Sequence, residues 1–226
     1  MERSGVINIY KEAGYTSHDV VAKLRGILKQ KKIGHTGPLD PQAQGVLPVC
    51  LGKGTKLCDL LADHDKEYEA VLRLGITTDT QDMEGNVLQE SSVQVSEEEV
   101  RTCILSFQGE QMQVPPMYSA LKVNGKKLYE LAREGKVVER KARPVTFHKI
   151  EVLWMELPKV KIRVQCSKGT YIRTLCNDIG EKLGCGGCME ELLRSKVGRY
   201  TLEESHTLAQ VEAAVADGTI QELIYP

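Results

Sequence analysis

The sequence predicts an α+β fold, with helices flanking a mixed, mostly antiparallel central sheet. Two observations carry the prediction. Lys159–Cys166 alternates cleanly, with Val160, Ile162, Val164 and Cys166 on one side and Lys159, Lys161, Arg163 and Gln165 on the other. That is the period of a half-buried strand. Strand-like and helix-like runs also follow one another irregularly, without the strict alternation of a parallel sheet. The 226 residues are 41% hydrophobic, enough for a real core in one large domain.

Taken in order, residues 5–9 read as a strand. Thr16 or Ser17 can cap a helix carrying Val20, Val21, Leu24, Ile27 and Leu28 on one face. That helix ends in the basic cluster Lys29, Lys31, Lys32. Gly34, Gly37, Pro38, Pro41 and Gly45 follow, a density that marks irregular backbone. Residues 46–51 form a short apolar strand and residues 55–61 a helix. Residues 67–74 alternate as a strand, and 76–85 are a polar turn. Ser96 and Glu99 form a capping box for a helix that runs to Ser106. Residues 125–134 predict a helix stopped by Gly135, and residues 170–183 another. Residues 192–194 lie near a further helix, and 206–216 form a final amphipathic one.

Charge and cysteine content narrow the class. The net charge is −1, which does not announce a nucleic-acid binder. Its distribution says more. Residues 29–56 carry five lysines against Asp40, and residues 116–150 carry nine Lys or Arg against three Glu. Residues 79–100 hold seven acids and residues 201–226 five, with no base in either. Such segregation allows a basic face for phosphates on a neutral protein. There is no apolar run of about 18 residues and no signal-type N-terminus, so the expected location is the cytoplasm, with no membrane. The seven cysteines are odd in number and mostly inside apolar runs, as reduced thiols would be. Cys185 and Cys188 have the spacing of half a zinc site, but no second Cys or His pair completes it. They read as unlinked thiols at a loop.

The segment from Gly34 to Pro48 carries the chemistry. It clamps one carboxylate, Asp40, between Leu39 and Pro41, with Pro38 and Pro41 restricting the backbone. A rigid loop presenting one acid is how an active site is pre-organised. By pattern alone, an Asp-Pro turn with a structural aspartate is the commoner reading. Gly52, Lys53, Gly54 and Thr55 do not fit a phosphate loop, because Gly54 follows Lys53 and no glycine stands five residues before Gly52. No metal-ligand cluster and no serine-nucleophile elbow is present.

Gly34, His35, Gly37, Leu39, Asp40, Pro41, Ala43, Gly45, Val46 and Leu47 together resemble the catalytic motif of the TruB family of pseudouridine synthases. Further blocks match in order. Lys66 and Tyr68 resemble the family's Lys-x-Tyr strand. Val114 to Lys122, with Gly125, Tyr129, Ala132 and Arg133, resembles its second long motif. Cys166 to Arg173, with Asp178 and Gly180, resembles its third, and Leu192, Arg194 and Gly198 its last. The blocks cover nearly the whole chain.

The resemblance implies isomerisation of uridine 55 in the T loop of tRNA, with the base flipped out of the folded loop. It implies no cofactor and no metal, since the reaction changes no oxidation state. Breaking a glycosidic bond asks for a carboxylate near C1′, and Asp40 matches the family's residue. Arg173 matches the arginine that pairs with it, a geometry a guanidinium makes bidentately. Tyr68 matches the aromatic that stacks on the base, and its phenol is a candidate base for the C5 proton. His35 matches the residue that packs where the base leaves; Tyr171 and Leu192 match residues around the flipped nucleotide. Lys56 and the Lys29, Lys31, Lys32 cluster are candidate phosphate contacts. The expected partner is the T-arm of tRNA and the expected state a monomer.

Two departures stand out. Pro38 replaces the family's usual Thr or Ala. Bacterial members also usually continue into a C-terminal PUA domain, so the expectation is one catalytic domain over residues 1–226 with that domain absent or truncated. Two rival readings share parts of the pattern: a guide-RNA-dependent synthase of the dyskerin type, and a non-catalytic tRNA-binding or tRNA-folding protein. Turnover separates the second, and intact Asp40, Tyr68 and Arg173 argue for turnover.

Overall fold

A computed structural model describes the whole chain, Met1–Pro226, and divides it into two compact units. The first comprises Met1–Glu69 and Leu192–Pro226, the second Ala70–Glu191. The chain passes from one unit to the other within strand Lys66–Leu74 and returns within strand Gly187–Val197.

In the first unit, strand Gly5–Lys11 lies between Ile224–Tyr225 and Gln44–Leu51, antiparallel to both. The other edge of Gln44–Leu51 pairs antiparallel with Ile33–His35 and parallel with Leu193 and Arg194. Helix Ser17–Leu28 begins at a capping box: Thr16 Oγ1 accepts from the Asp19 N–H and Asp19 accepts from the Thr16 N–H, each at 2.9 Å. Its buried face (Val20, Val21, Leu24, Leu28) packs with Ile7, Ile9, Leu47, Val49 and Leu51 of the sheet. Val211 and Ala214 of helix Leu208–Asp217 complete this core. Each Val, Leu or Ile among these contributes about 1.5–3 kcal/mol on burial. The opposite face buries Val6, Val46 and Cys50 against Val197 and Tyr200. Strand Gln44–Leu51 is thus covered on both faces, which is why its sequence is a continuous apolar run rather than an alternation.

In the second unit, the 14-residue strand Arg143–Glu156 pairs antiparallel with Gly109–Gln113 and Lys159–Cys166. The latter adjoins strand Lys66–Leu74. Helix Glu97–Leu105, with its Ser96–Glu99 capping box, packs on this long strand and on helix Ile172–Leu183. The predicted alternation of Lys159–Cys166 is realised: Val160, Ile162, Val164 and Cys166 are fully buried. The α+β expectation holds, with antiparallel pairing predominating.

Several local expectations change. Arg143–Glu156 was not legible as a strand because register shifts between Phe147 and Lys149 and between Val152 and Trp154 break its period of two. Leu192 and Arg194 lie in a strand, not near a helix, because pairing with Gln44 and Gly45 overrides a helix-forming sequence. Residues 125–134 begin with a hairpin, Lys122–Val123 against Lys126–Lys127, turned by Asn124 and Gly125 at positive φ. The helix is only Leu128–Arg133. The expected helix at 55–61 is a 3-10 turn, Gly52–Leu57, followed by Cys58–Ala62. The expected turn at 76–85 opens with strand Ile76–Thr78, paired with Val87–Glu90. All seven cysteines are free thiols, and no helix is long and apolar enough to cross a membrane.

Candidate active site

A glycine- and proline-rich loop makes few hydrogen bonds of its own, so its backbone needs partners from elsewhere. The loop around Asp40 finds them in three buried side chains of the first unit. Ser17 Oγ accepts from the Leu39 N–H at 2.9 Å and donates to the Leu39 carbonyl at 3.3 Å. Lys11 Nζ donates to the carbonyls of Pro41 (3.0 Å), Tyr15 (2.6 Å) and Glu12 (3.1 Å). Arg194 donates through Nε to Val46 and through Nη2 to Gly37, both at 2.9 Å. Thr36 closes the entry through N–H and Oγ1 bonds to the Pro48 carbonyl. The Ala43 N–H closes the exit on the Asp40 carbonyl at 3.0 Å. None of these bonds calls on the amide hydrogen that Pro38 lacks. Leu39 and Ala43 are buried on either side while Asp40 is exposed, so the loop presents the carboxylate from a fixed backbone. Gly45 has φ of +116°, and a Cβ there would lie 2.1 Å from the Arg194 carbonyl oxygen. Only glycine permits that close approach.

The electrostatics follow from burial. Lys11 has no exposed surface, and burial pushes its ammonium down to about 8. The nearby Asp40 charge opposes that shift and Arg194 adds to it. An unfolded lysine titrates near 10.5. Between about 8 and 10.5 the unfolded chain therefore holds a proton that the folded chain has lost, and the Lys11 contribution to stability rises with pH. Measured by urea unfolding, the parent is expected to gain about 2 kcal/mol on Lys11→Met between pH 7.5 and 9.5. Parallel curves for the two proteins would show that Lys11 titrates normally. His35 is likewise shifted down, chiefly by burial, and its Nδ1 is buried without a partner. The imidazole is thus neutral at ordinary pH.

Tyr68 is 8% exposed, in strand Lys66–Leu74. Ser195 Oγ donates to the Glu67 carbonyl and carboxylate at 3.2 and 2.8 Å, tying that strand to the segment bearing Leu192 and Arg194. That segment in turn pairs with Gln44 and Gly45 at the end of the Asp40 loop. The first unit therefore brings the neighbourhoods of Asp40, Leu192 and Tyr68 side by side. His35 sits on the short strand opposite Val49. Lys56 is apart, exposed on the 3-10 turn beyond the far end of strand Gln44–Leu51.

Arg173 and Tyr171 belong to the second unit. Arg173 is 6% exposed and donates through Nη1 to the Thr80 carbonyl (3.1 Å) and through Nη2 to the Tyr118 carbonyl (2.9 Å). Tyr171 is the residue capping helix Ile172–Leu183. Its N–H donates to Gln113 Oε1 at 2.8 Å and its carbonyl accepts from Gln113 Nε2 at 3.1 Å, so one buried amide fixes its backbone from both sides. Sequence reading missed Lys11 and Gln113 and gave Arg194 no role. One signal was present: Lys11 continues the inward positions Ile7 and Ile9, where a lysine is out of place without a special partner.

The loop holds one exposed carboxylate on a fixed backbone, and comparison with known proteins gives the family of the chain that carries it. Residues 25–172 match the TruB family pseudouridylate synthase N-terminal domain, and residues 173–226 the tRNA pseudouridylate synthase B C-terminal domain. The chain is 58% identical to the tRNA pseudouridine synthase B of Lachnoclostridium phytofermentans, over 99% of this chain and 75% of that protein. It is 52% identical to the protein of that name from Clostridium tetani, over 99% and 76%. Among solved structures, it superposes on the one described as "Crystal Structure of a Cbf5-Nop10-Gar1 Complex" with a TM-score of 0.79 at 34% identity. That match covers 98% of this chain but only 60% of the other. The chain belongs to the TruB family of pseudouridylate synthases, and is by that membership an isomerase.

Proposed function

We propose that this chain converts uridine 55 in the T loop of tRNA to pseudouridine, with Asp40 as the essential carboxylate. The carrying observation is the fixed loop that leaves Asp40 exposed between buried Leu39 and Ala43. The target base is flipped out of the folded loop, since its C1′ and C5 must both be reached. The bond from C1′ to N1 breaks, the base turns, and a bond from C1′ to C5 forms. C5 gives up its proton and N1 gains one, so no oxidant or cofactor enters. Asp40 acts at the sugar, with Arg173 as the partner of its charge. Tyr68 stacks on the base, and its phenol takes the C5 proton. His35, neutral and half-buried, packs where the base departs. Tyr171 and Leu192 surround the flipped nucleotide, and Lys56 meets phosphate. The protein works as a monomer in the cytoplasm on the T-arm.

The test is release of tritium from a tRNA transcript labelled at C5 of uridine. About one tritium per tRNA is expected, and none from a transcript with cytidine at position 55. Release that persists from the cytidine transcript would move the target elsewhere. Tight tRNA binding without release would sink the enzymatic reading in favour of a binding protein.

A further inference from the structure

We propose that Gln81 and Thr174 are positioning residues for Arg173, forming a side-chain clasp between a tight turn and the first turn of a helix. The proposal rests on the reading of Arg173 given above. All of its observations lie within the second unit. Arg173 and Thr174 are consecutive on helix Ile172–Leu183, and Thr80 and Gln81 are consecutive in the turn that precedes Asp82. Arg173 Nη1 donates to the Thr80 carbonyl, and Thr174 Oγ1 donates to Gln81 Oε1 at 2.7 Å. Both contacts span 93 residues, so they run side by side. Thr174 is 2% exposed and Gln81 half-buried, so the hydroxyl end of the bond lies out of water.

Gln81 has φ of +65°. A residue with a side chain in that region costs about 1–2 kcal/mol that glycine does not. The other two such positions have ordinary explanations: Lys29 ends a helix and Asn124 turns a two-residue hairpin. At Gln81 the side chain itself is in use. The turn is otherwise rigid. The Gln81 N–H donates to the Thr78 carbonyl at 3.3 Å, and the Gln81 carbonyl accepts from the Met189 N–H at 2.9 Å. Asp82 accepts from Thr80 Oγ1 at 2.6 Å and from the Glu84 N–H at 3.1 Å. A Cβ on Gly85 would lie 2.2 Å from Thr80 Oγ1, so the turn is closed tightly on itself. The Thr80 carbonyl is therefore a fixed point. The clasp holds the start of the helix to it, and the Tyr118 carbonyl sets the second direction of the guanidinium.

Gln81→Gly separates positioning from folding, because it deletes the acceptor while relieving the backbone. Its Tm is expected to be unchanged or raised. Its kcat for tritium release is expected to fall about 10-fold at unchanged KM. Thr174→Val is expected to lose the same factor and Thr174→Ser to restore it. The double variant, Gln81→Gly with Thr174→Val, is expected to be no slower than either single one, since both remove the same bond. A parental kcat for Gln81→Gly, or losses that multiply in the double variant, overturns the clasp. Arg173→Lys is run alongside. If it keeps the parental kcat, the reading of Arg173 fails and takes the proposal with it. If it is slow while Gln81→Gly is not, the clasp alone fails.

Discussion

Asp40→Asn is expected to abolish tritium release, by about 1,000-fold or more, while leaving the fold and tRNA affinity in place. The substitution keeps the size and shape of the side chain and removes its charge. An amide neither attacks a carbon nor takes a proton at useful rates, so whichever step the carboxylate performs is lost. The fold has little reason to respond. The loop's bonds run through the backbone of residues 39, 40 and 43, and through the side chains of Lys11, Ser17 and Arg194. Asp40 itself is exposed, so the stability change is expected to stay near the roughly 1 kcal/mol that an exposed charge interaction contributes. One physical trace should remain. The Asp40 charge raises Lys11 against the lowering effect of burial. Without it Lys11 should titrate lower than about 8, and the stability rise with pH should start earlier. Single-turnover release, tRNA filter binding and urea unfolding test the three parts. A variant retaining a tenth of the parental rate would remove Asp40 from the chemistry.

The part of the site that could be read from sequence is the part built by local chemistry. Gly37, Pro38, Pro41 and Gly45 announce irregular backbone, and Asp40 is the single acid within it. Ser96 and Glu99 announce a helix start in the same local way, and Lys159–Cys166 shows its buried face in its spacing. What could not be read depends on long-range partners. Lys11 reaches Pro41 across 30 residues, Gln113 reaches Tyr171 across 58, and Arg194 reaches Gly37 across 157. No local pattern encodes those separations. Arg143–Glu156 fails for a different reason: its bulges shift the face on which side chains point, so a period of two never accumulates. Gln81 hides because a positive φ without glycine leaves no compositional mark.

Arg194→Ala is expected to cost about 3–5 kcal/mol of folding stability. Arg194 is 1% exposed and is among the largest fully buried side chains of the protein. Truncation leaves a void where the guanidinium stood. It also strands two acceptors, the carbonyls of Val46 and Gly37, each now bonded at 2.9 Å. The surroundings cannot close over the gap. Arg194 pairs with Gly45, whose α-carbon already approaches the Arg194 backbone as closely as a missing Cβ allows. For a chain of this length the loss corresponds to a fall in Tm of roughly 10 °C. Arg194→Lys keeps the charge but cannot reach two carbonyls with a planar fork, so about 2 kcal/mol should still be lost. Activity should fall further than stability explains, because Gly37 stands three residues before Asp40 and its carbonyl is one of the loop's anchors. The Arg194 charge also lowers Lys11, so its removal should let Lys11 titrate above about 8, opposite in sign to Asp40→Asn. Thermal unfolding and the pH dependence of urea midpoints measure both effects. A Tm within about 2 °C of the parent would mean that neither the two carbonyl bonds nor the packing of this guanidinium holds the loop.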